Sequence, residues 1–213
     1  MWPRHEPLSP EELPLKSLHA GLLGCFTAAA LLGACAQPGP PAQLYQLRSE
    51  APGVANARPS GGGLQALQLV AVGLPELLER DAIVLSKGRS GVQALAGHRW
   101  AEPLRDAMPR LLRHDLALWL ALPQVWSAPL PAGVVAPHQL RVEVLSFQTD
   151  EPRRQVQLLA RWSLSDPTGV KPVQTGVQEL SVPVQGADVD AIVAAHRVAV
   201  WQLAQALAGE LRR

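Results

Sequence analysis

LRVEVLSFQT, from Leu140 to Thr149, and QVQLLARWSLS, from Gln155 to Ser165, alternate apolar and polar residues more clearly than any other part of this chain. Because successive side chains of a strand point to opposite faces, each segment predicts a strand with one buried face. The link between them, residues 150–154, is short and polar. We therefore predict an antiparallel hairpin at these positions.

The segments on either side of this hairpin predict further strands and two long helices. Apolar runs bounded by turn residues indicate strands, and apolar residues at helical spacing indicate helices. The strands are predicted at Gln43–Leu47, Leu67–Gly73, Ala82–Ser86, Val92–Leu95 and Gln174–Val182, a helical turn at Glu76–Arg80, and the helices at Ala101–Leu122 and Val189–Leu211. This order predicts an α/β fold, a mixed β-sheet flanked by two long helices.

Three residues bear on where the helices begin. Pro103 suits a first helical turn, where its missing N–H costs nothing, and Asp188 is a suitable N-cap for the last helix. Pro109 conflicts with a helix interior, because a proline there costs about 3 kcal/mol or kinks the axis. Two alternatives stay open: the first helix starts late, or it bends at Pro109.

Composition excludes several classes of function. The 213 residues carry 19 Lys and Arg against 18 Asp and Glu, a net charge of +1, and the basic residues are scattered. Nucleic-acid binding, which needs a concentrated basic face, is therefore not expected. The two cysteines, Cys25 and Cys35, both lie near the N-terminus. The rest of the chain can hold no disulfide, thiolate metal site or cysteine nucleophile.

The N-terminal region predicts a secretory signal with a lipid-attachment site. The uncharged run Ala20–Leu32 has 13 residues and follows Lys16. A membrane-spanning helix needs roughly 20 apolar residues, so this run fits the apolar core of a signal peptide. It ends in LGAC, residues 32–35, which looks like a bacterial lipobox. We predict cleavage between Ala34 and Cys35 and attachment of lipid, including palmitate, to Cys35.

Two features of this region bear on that prediction. A rival site at Cys25 is disfavoured because it would leave an apolar core of only a few residues after Lys16. Residues 1–14 include Glu6, Glu11 and Glu12 and fit a basic signal start poorly. A start codon further downstream is therefore an open alternative.

The predicted organisation is a signal peptide at residues 1–34, a lipidated tether and linker at 35–63, and a single domain at 64–213. Residue 36 is alanine. Aspartate there favours retention in the inner membrane of Gram-negative bacteria, so we expect anchoring to the periplasmic face of the outer membrane. Residues 36–42 span about 25 Å at full extension, which would keep the domain close to that membrane.

No catalytic or metal-binding constellation is found, and no cofactor is expected. The chain lacks a nucleophile elbow, a glycine-rich phosphate loop and metal-ligand spacing. The histidines after residue 35 are isolated, and Ser163 to Asp166 is better explained as a strand end followed by a turn. Trp126 lies in a predicted loop between prolines. Buried packing is the safer interpretation, and contact with a partner or lipid is the alternative.

Several segments together resemble the ABC-type transport auxiliary lipoproteins of the PqiC or YmbA type. HRWAEPL, from His98 to Leu104, is similar to a family signature and is the most specific segment. The other similar segments, in chain order, are Tyr45–Leu47, Val72–Arg80 followed by Ile83 and Val84, Ala160–Leu164, and Val193–His196. The resemblance thus covers nearly all of the chain after Cys35, and only Pro109 departs from the pattern.

This resemblance implies a non-enzymatic outer-membrane lipoprotein that works with a periplasmic MCE-domain protein, an ABC permease and an ATPase in lipid transport between membranes. It also implies a mixed α/β sheet with flanking helices, and a homo-oligomer is compatible with it. The signature residues either support the fold or dock a partner; they are His98, Arg99, Trp100, Glu102 and Pro103. The alternatives are a periplasmic lipid carrier with its own pocket between sheet and helices and, less favoured, a periplasmic hydrolase.

Overall fold

A computed structural model describes residues 41–52, 66–152, 154–168 and 173–212. Within these ranges, eight strands form one mixed sheet and two helices pack on it. The strands are β1 (Gln43–Tyr45), β2 (Leu67–Gly73), β3 (Ala82–Lys87), β4 (Gly91–Trp100), β5 (Val125–Ser127), β6 (His138–Thr149), β7 (Gln155–Ser165) and β8 (Gln174–Pro183), and the helices are α1 (Leu104–Leu120) and α2 (Val189–Glu210). The predicted α/β class, with a mixed sheet and two long helices, is confirmed.

Strand β6 organises the sheet because it pairs along both of its edges. On one edge it pairs antiparallel with β7, which pairs antiparallel with β8. On the other edge β2 pairs parallel with its first half, and β3 pairs parallel with its last residue. The sheet continues from β2 to β5, and from β3 through β4 to β1. Parallel and antiparallel pairs thus occur in one sheet, as the order of elements predicts.

The predicted hairpin is confirmed, with one irregularity. Leu140, Val142 and Val144 are buried opposite Leu164, Trp162 and Ala160. A β-bulge then interrupts the register between Val144 and Ser146. Because the bulge adds one residue, the buried positions change from even to odd numbers, and Phe147 and Thr149 lie on the core face.

Both helices cover the same face of the sheet. Helix α1 packs on β2 and β5, α2 packs on β7 and β8, and the two helices contact each other. Trp119 of α1 and Trp201 of α2 meet with ring centroids 4.9 Å apart. The opposite face carries exposed residues such as Arg141 and Arg161. The helices therefore do not enclose the sheet from both sides.

Helix α1 begins at Leu104, three residues later than predicted, and continues through Pro109. Pro103 is the residue before the helix, and its carbonyl accepts hydrogen bonds from the Asp106 and Ala107 N–H groups. The late start places Pro109 in the second turn. The helix therefore starts later than predicted but still contains Pro109, which lacks a backbone N–H to donate to the preceding turn.

Helix α2 begins as predicted, with the Asp188 carboxylate accepting a hydrogen bond from the Ala191 N–H at 2.8 Å. By length and composition, α2 is the one helix in the described ranges that could cross a membrane. However, 67% of its most apolar window is buried inside the protein. This burial is typical of the core helix of a folded domain.

The folded unit starts earlier than the sequence suggests. Strand β1 pairs parallel with β4, and the compact unit begins at Ala42, whereas the sequence analysis places the domain start at residue 64. Leu47 is 1% exposed and belongs to the core. Of the predicted tether and linker, residues 42–52 are therefore part of the folded unit, and residues 53–63 lie outside the described ranges. The sequence analysis predicts a strand at Gln43–Leu47, but the pairing of β1 with a partner 55 residues away leaves no local pattern.

Strand β5 is the one element in the described ranges that the sequence analysis does not predict. Trp126 lies in β5, paired with Gln68 of β2, and is half-buried, so the predicted loop is wrong at this position. Three residues bounded by loops show no periodicity of their own. Their strand conformation comes from pairing with β2.

Candidate functional site: the family signature and the N-terminal strap

The segment that follows β1, residues 46–51, is here called the strap. It runs from the end of β1 across the two helices, and the signature-like residues from His98 to Pro103 lie beside β1. Ala101 donates its backbone N–H to the Tyr45 carbonyl at 2.7 Å. The signature and the strap are thus one connected region and form the candidate functional site.

Strand β4 ends within the signature at Trp100, and α1 begins at the last signature residue, Leu104. Nδ1 of the half-buried His98 shares a hydrogen bond with the Tyr45 hydroxyl at 2.9 Å. This bond links β4 to β1. Arg99 is exposed and lies 3.5 Å from the Asp81 carboxylate. An exposed pair at that distance contributes little to stability.

Trp100 is a core residue. Its ring is 7% exposed and meets the His196 ring edge-on, with centroids 5.6 Å apart, and Phe147 meets the same imidazole at 4.6 Å. Nδ1 of His196 lies 2.8 Å from the Ile192 carbonyl. Burial among these rings lowers the pKa of His196 to about 4, because the charged imidazolium would lose its hydration. His196 is therefore a neutral packing residue near pH 7.

Glu102 connects the signature to the strap through Arg110 of α1. The Glu102 carboxylate accepts two hydrogen bonds from the Arg110 guanidinium, at 3.3 and 2.6 Å. The same guanidinium donates to the Ser49 hydroxyl at 2.8 Å. Arg110 thus fixes the strap relative to the start of α1.

A buried ion pair holds the strap from below. Arg197 of α2 donates to both carboxylate oxygens of Asp115 of α1, at 2.7 and 2.8 Å. Its Nε donates to the Arg48 carbonyl at 2.7 Å, and a longer contact of 3.5 Å reaches the Ser49 carbonyl. Burial raises the pKa of Asp115, and the hydrogen bonds from Arg197 oppose that rise. This pair joins both helices and the strap in one polar network.

The sequence analysis did not identify Asp115 and Arg197 as important residues. Each lies on an otherwise apolar stripe of its helix, so a charged residue inside a buried face was the available signal. Nothing in the sequence indicates which acid pairs with which base. That pairing follows from the packing of α1 against α2.

A second feature is an open depression of about 590 Å³ on the sheet face that the helices leave bare. Small residues of β2, Ala71 and Gly73, form one side of it. Arg161 is paired with Glu143 across β7 and β6 at 2.7 Å, and Arg141 lies beside them. Next to His196, the gap is only about 10 Å³.

The remaining predicted site residues are not brought into this region. Ala34 and Cys35 lie outside the described residues. Trp126 is on β5, across the sheet from the strap. In the described part of the chain, no group of three or more His, Cys, Asp or Glu residues could hold a metal ion. The contacts around the signature connect it to β1 and the strap.

Comparison with known proteins agrees with this architecture. One solved structure, described as an uncharacterized protein, is 19% identical, with a TM-score of 0.64 over 81% of this chain and 99% of that chain. A protein from Xanthomonas campestris assigned to the DUF330 family is 15% identical, with a TM-score of 0.64 over 80% of this chain and 95% of the other. These identities support the fold alone. No curated protein matches the chain.

The sequence also matches the sequence model of a protein family over residues 45–208, from the end of β1 to the last turns of α2. The family is described as a transport component and lipoprotein rather than as an enzyme. The match includes the signature, the strap and both partners of the buried ion pair. The chain therefore belongs to the family of ABC-type transport auxiliary lipoprotein components.

Proposed function

We propose that the mature chain is a non-enzymatic subunit of an ABC-type system that moves lipid between membranes, anchored to the outer membrane through Cys35 and docked to a periplasmic MCE-domain protein. The family match over residues 45–208 carries this proposal. The lipobox at residues 32–35 supports the anchor. The permease and ATPase are then indirect partners, reached through the MCE-domain protein.

The contacts of the signature support a structural role within this function. His98, Trp100 and Glu102 contact Tyr45, His196 and Arg110 of the same chain. Docking through these side chains would have to break internal contacts. We therefore assign the signature to holding the strap and leave partner contact to other surfaces. Trp126, half-buried on an edge strand, is the candidate contact.

Co-purification of the mature lipoprotein with a candidate MCE-domain protein from the same organism tests the docking. We expect a stable complex that Trp126→Ala weakens and that the exposed-site control Thr168→Ala leaves unchanged. Because assembly can depend on a ring of subunits, the mass of both the free protein and the complex should be measured. Failure to associate in every oligomeric state contradicts the docking.

Lipidation and location are tested separately. Mass spectrometry of the N-terminal peptide should show Cys35 carrying acyl chains, and density separation of membranes should place the protein in the outer membrane. Cys35→Ser should release it into the soluble fraction, whereas Cys25→Ser should not. A released Cys25→Ser protein would instead support the rival cleavage site.

The lipid-carrier alternative needs a pocket, and the structure offers one candidate. A ligand pocket usually measures about 300–1,000 Å³, so the gap of about 10 Å³ beside His196, between sheet and helices, is too small. The open depression near Arg141 is large enough for a lipid headgroup, but it lies on the face away from the helices. Lipid that co-purifies with the Cys35→Ser protein, and that Arg141→Glu removes, would favour this alternative.

A further inference from the structure

Strands β3 and β4 extend beyond the body of the sheet as a projecting hairpin. Strand β3 pairs with the last residue of β6 at Leu85, and every residue from Lys87 to Ala94 is exposed. We call these eight residues, KGRSGVQA, the finger. They include two cations, Lys87 and Arg89, no acid, and Val92 with 50% exposure.

The cations of the finger are available to an outside partner. In the described part of the chain, neither Lys87 nor Arg89 has an ion-pair partner. The acids at this end of the sheet belong to the body: Asp150 accepts hydrogen bonds from its own turn at 2.9 and 2.7 Å, and Asp188 caps α2. Glu151 and Asp190 are exposed at the same end. None of these acids forms an ion pair with Lys87 or Arg89.

The direction of β1 shows from which side the chain enters the folded unit. Because β1 runs parallel to β4, the chain enters β1 from the side of the finger. Leu44 and Ala82 both pair with Arg99, and Lys87 at the other end of β3 pairs with Gly91. Lys87 follows Ala82 by five residues, so Leu44 and the base of the finger are about 17 Å apart along the strand direction.

At full extension, the tether is about 13 Å longer than this distance. The nine residue steps from Leu44 back to Cys35 span about 30 Å at full extension, so Cys35 can pass the finger tip by about 13 Å at most. Peeling β1 from the sheet would lengthen the tether. The strap opposes that peeling, because Leu47 is buried and Arg197 holds the Arg48 carbonyl at 2.7 Å.

We propose that the finger rests on the bilayer that holds the lipid of Cys35, with Lys87 and Arg89 bound to the phosphate groups of anionic lipids. Val92 contributes an apolar contact at the interface. This inference rests on the proposed function, because it requires a lipidated Cys35. The finger is then a second point of membrane contact, which fixes how the domain is oriented on the membrane.

The test uses the mature lipoprotein in phosphatidylcholine vesicles, with and without phosphatidylglycerol. A fluorophore on Ser90→Cys reports the finger, and one on Thr168→Cys reports the β7–β8 turn at the opposite end of the sheet. The native Cys35 sulfur is blocked by its thioether, so only the introduced cysteine reacts. Quenchers attached to lipid headgroups measure the proximity of each fluorophore to the membrane.

We expect headgroup quenching at position 90, stronger with phosphatidylglycerol, and little at position 168. Each basic residue near an anionic surface contributes about 1 kcal/mol, so Lys87→Gln with Arg89→Gln should lower the ratio of membrane-apposed to lifted domains about 30-fold. The matched control, Arg141→Gln with Arg161→Gln on the bare sheet face, should not change the quenching.

Three results overturn the proposal. Equal quenching at positions 90 and 168 shows that the finger does not face the membrane. Quenching at 90 that neither phosphatidylglycerol nor the Lys87 and Arg89 variants change excludes the phosphate contact. If mass spectrometry shows no lipid on Cys35, the anchor itself fails, and the finger contact fails with it. If Cys35 carries lipid but position 90 is quenched no more than position 168, the finger contact is contradicted and the proposed function is not.

Discussion

Asp115 and Arg197 form an ion pair whose side chains are 0% and 7% exposed, and each depends on the other. Removing one partner from a buried pair typically costs about 3–5 kcal/mol, because the remaining charge loses both hydration and its counter-ion. We expect Asp115→Leu and Arg197→Met each to lower the free energy of unfolding by about that amount. Urea denaturation of the mature chain measures the loss.

The double variant is the control for this prediction. Asp115→Leu with Arg197→Met leaves no unpaired charge, so it should cost clearly less than the sum of the two single losses. Arg110→Gln, at the partly exposed pair with Glu102, should cost less than either buried change. Additive single losses would show that the two groups do not depend on each other.

The lowered pKa of His196 leads to a prediction of how the stability of the protein depends on pH. Its pKa in the folded protein is about 4, against 6.5 for an unperturbed imidazole, so between these values the unfolded chain binds a proton that the folded chain does not. Stability should therefore fall as the pH drops from 6.5 to 4, by about 3 kcal/mol from this residue. Urea denaturation at several pH values measures the slope.

Two variants separate His196 from other titrating groups. His196→Leu should remove most of this pH dependence between 6.5 and 4, although it also loses the contact with the Ile192 carbonyl. The exposed His114 on α1 is the matched control, and His114→Gln should keep the slope of the wild type. An unchanged slope in His196→Leu would mean that other groups cause the acid sensitivity.

At the level of elements, the pairing of β7 with β8 depends on a close contact at Gly176. A Cβ atom there would lie 2.7–2.8 Å from three atoms of the Trp162 indole, closer than atoms can pack. Overpacking of a core typically costs about 1–3 kcal/mol. We expect Gly176→Ala to lower the melting temperature accordingly.

Gly209 on α2 provides the control for Gly176. No atom lies within 4 Å of a Cβ at this position, and alanine is favoured over glycine in a helix by up to about 1 kcal/mol. Gly209→Ala should therefore leave stability unchanged or raise it. Equal effects of the two variants would show that the indole moves aside at no cost.

At the level of the whole molecule, the strap is expected to be part of the folding unit. Deleting residues 36–52 from the non-lipidated mature chain removes β1 and the burial of Leu47, which alone contributes about 1.5–3 kcal/mol. It also removes the carbonyl acceptors of Arg197. We expect a loss of at least about 2 kcal/mol in the free energy of unfolding.

Deleting residues 36–40 is the matched control, because it shortens the tether and leaves β1 and the strap in place. We expect no change in the free energy of unfolding from this deletion. If both deletions leave stability unchanged, the folded domain starts where the sequence analysis placed it, at residue 64.

Much of the fold could be predicted from local pattern. Strands β2 and β7 have the predicted bounds, and α2 begins at the predicted cap. In each of these elements the periodicity of apolar residues extends over several turns or pleats, and burial of one face follows directly from it. Membership of the transport auxiliary lipoprotein family could be inferred in the same way, since its motif residues are read in chain order.

The candidate site could be predicted only in part. His98, Trp100 and Glu102 were identified by resemblance, but their partners Tyr45, His196 and Arg110 lie 53, 96 and 8 residues away. The bulge in β6, which changes the buried face, also has no local signal. Contacts between distant segments depend on how all elements pack together, and one sequence does not encode them as a pattern.

The sequence by itself therefore determined most of the elements, the fold class, the family and the lipid-attachment motif, because each is a property of neighbouring residues. The tertiary structure decided that the strap belongs to the domain, that Asp115 pairs with Arg197, and that the chain enters β1 from the side of the finger. These three features arise from parallel pairing and helix packing between segments far apart in the chain. Only the folded arrangement of those segments determines their relative positions.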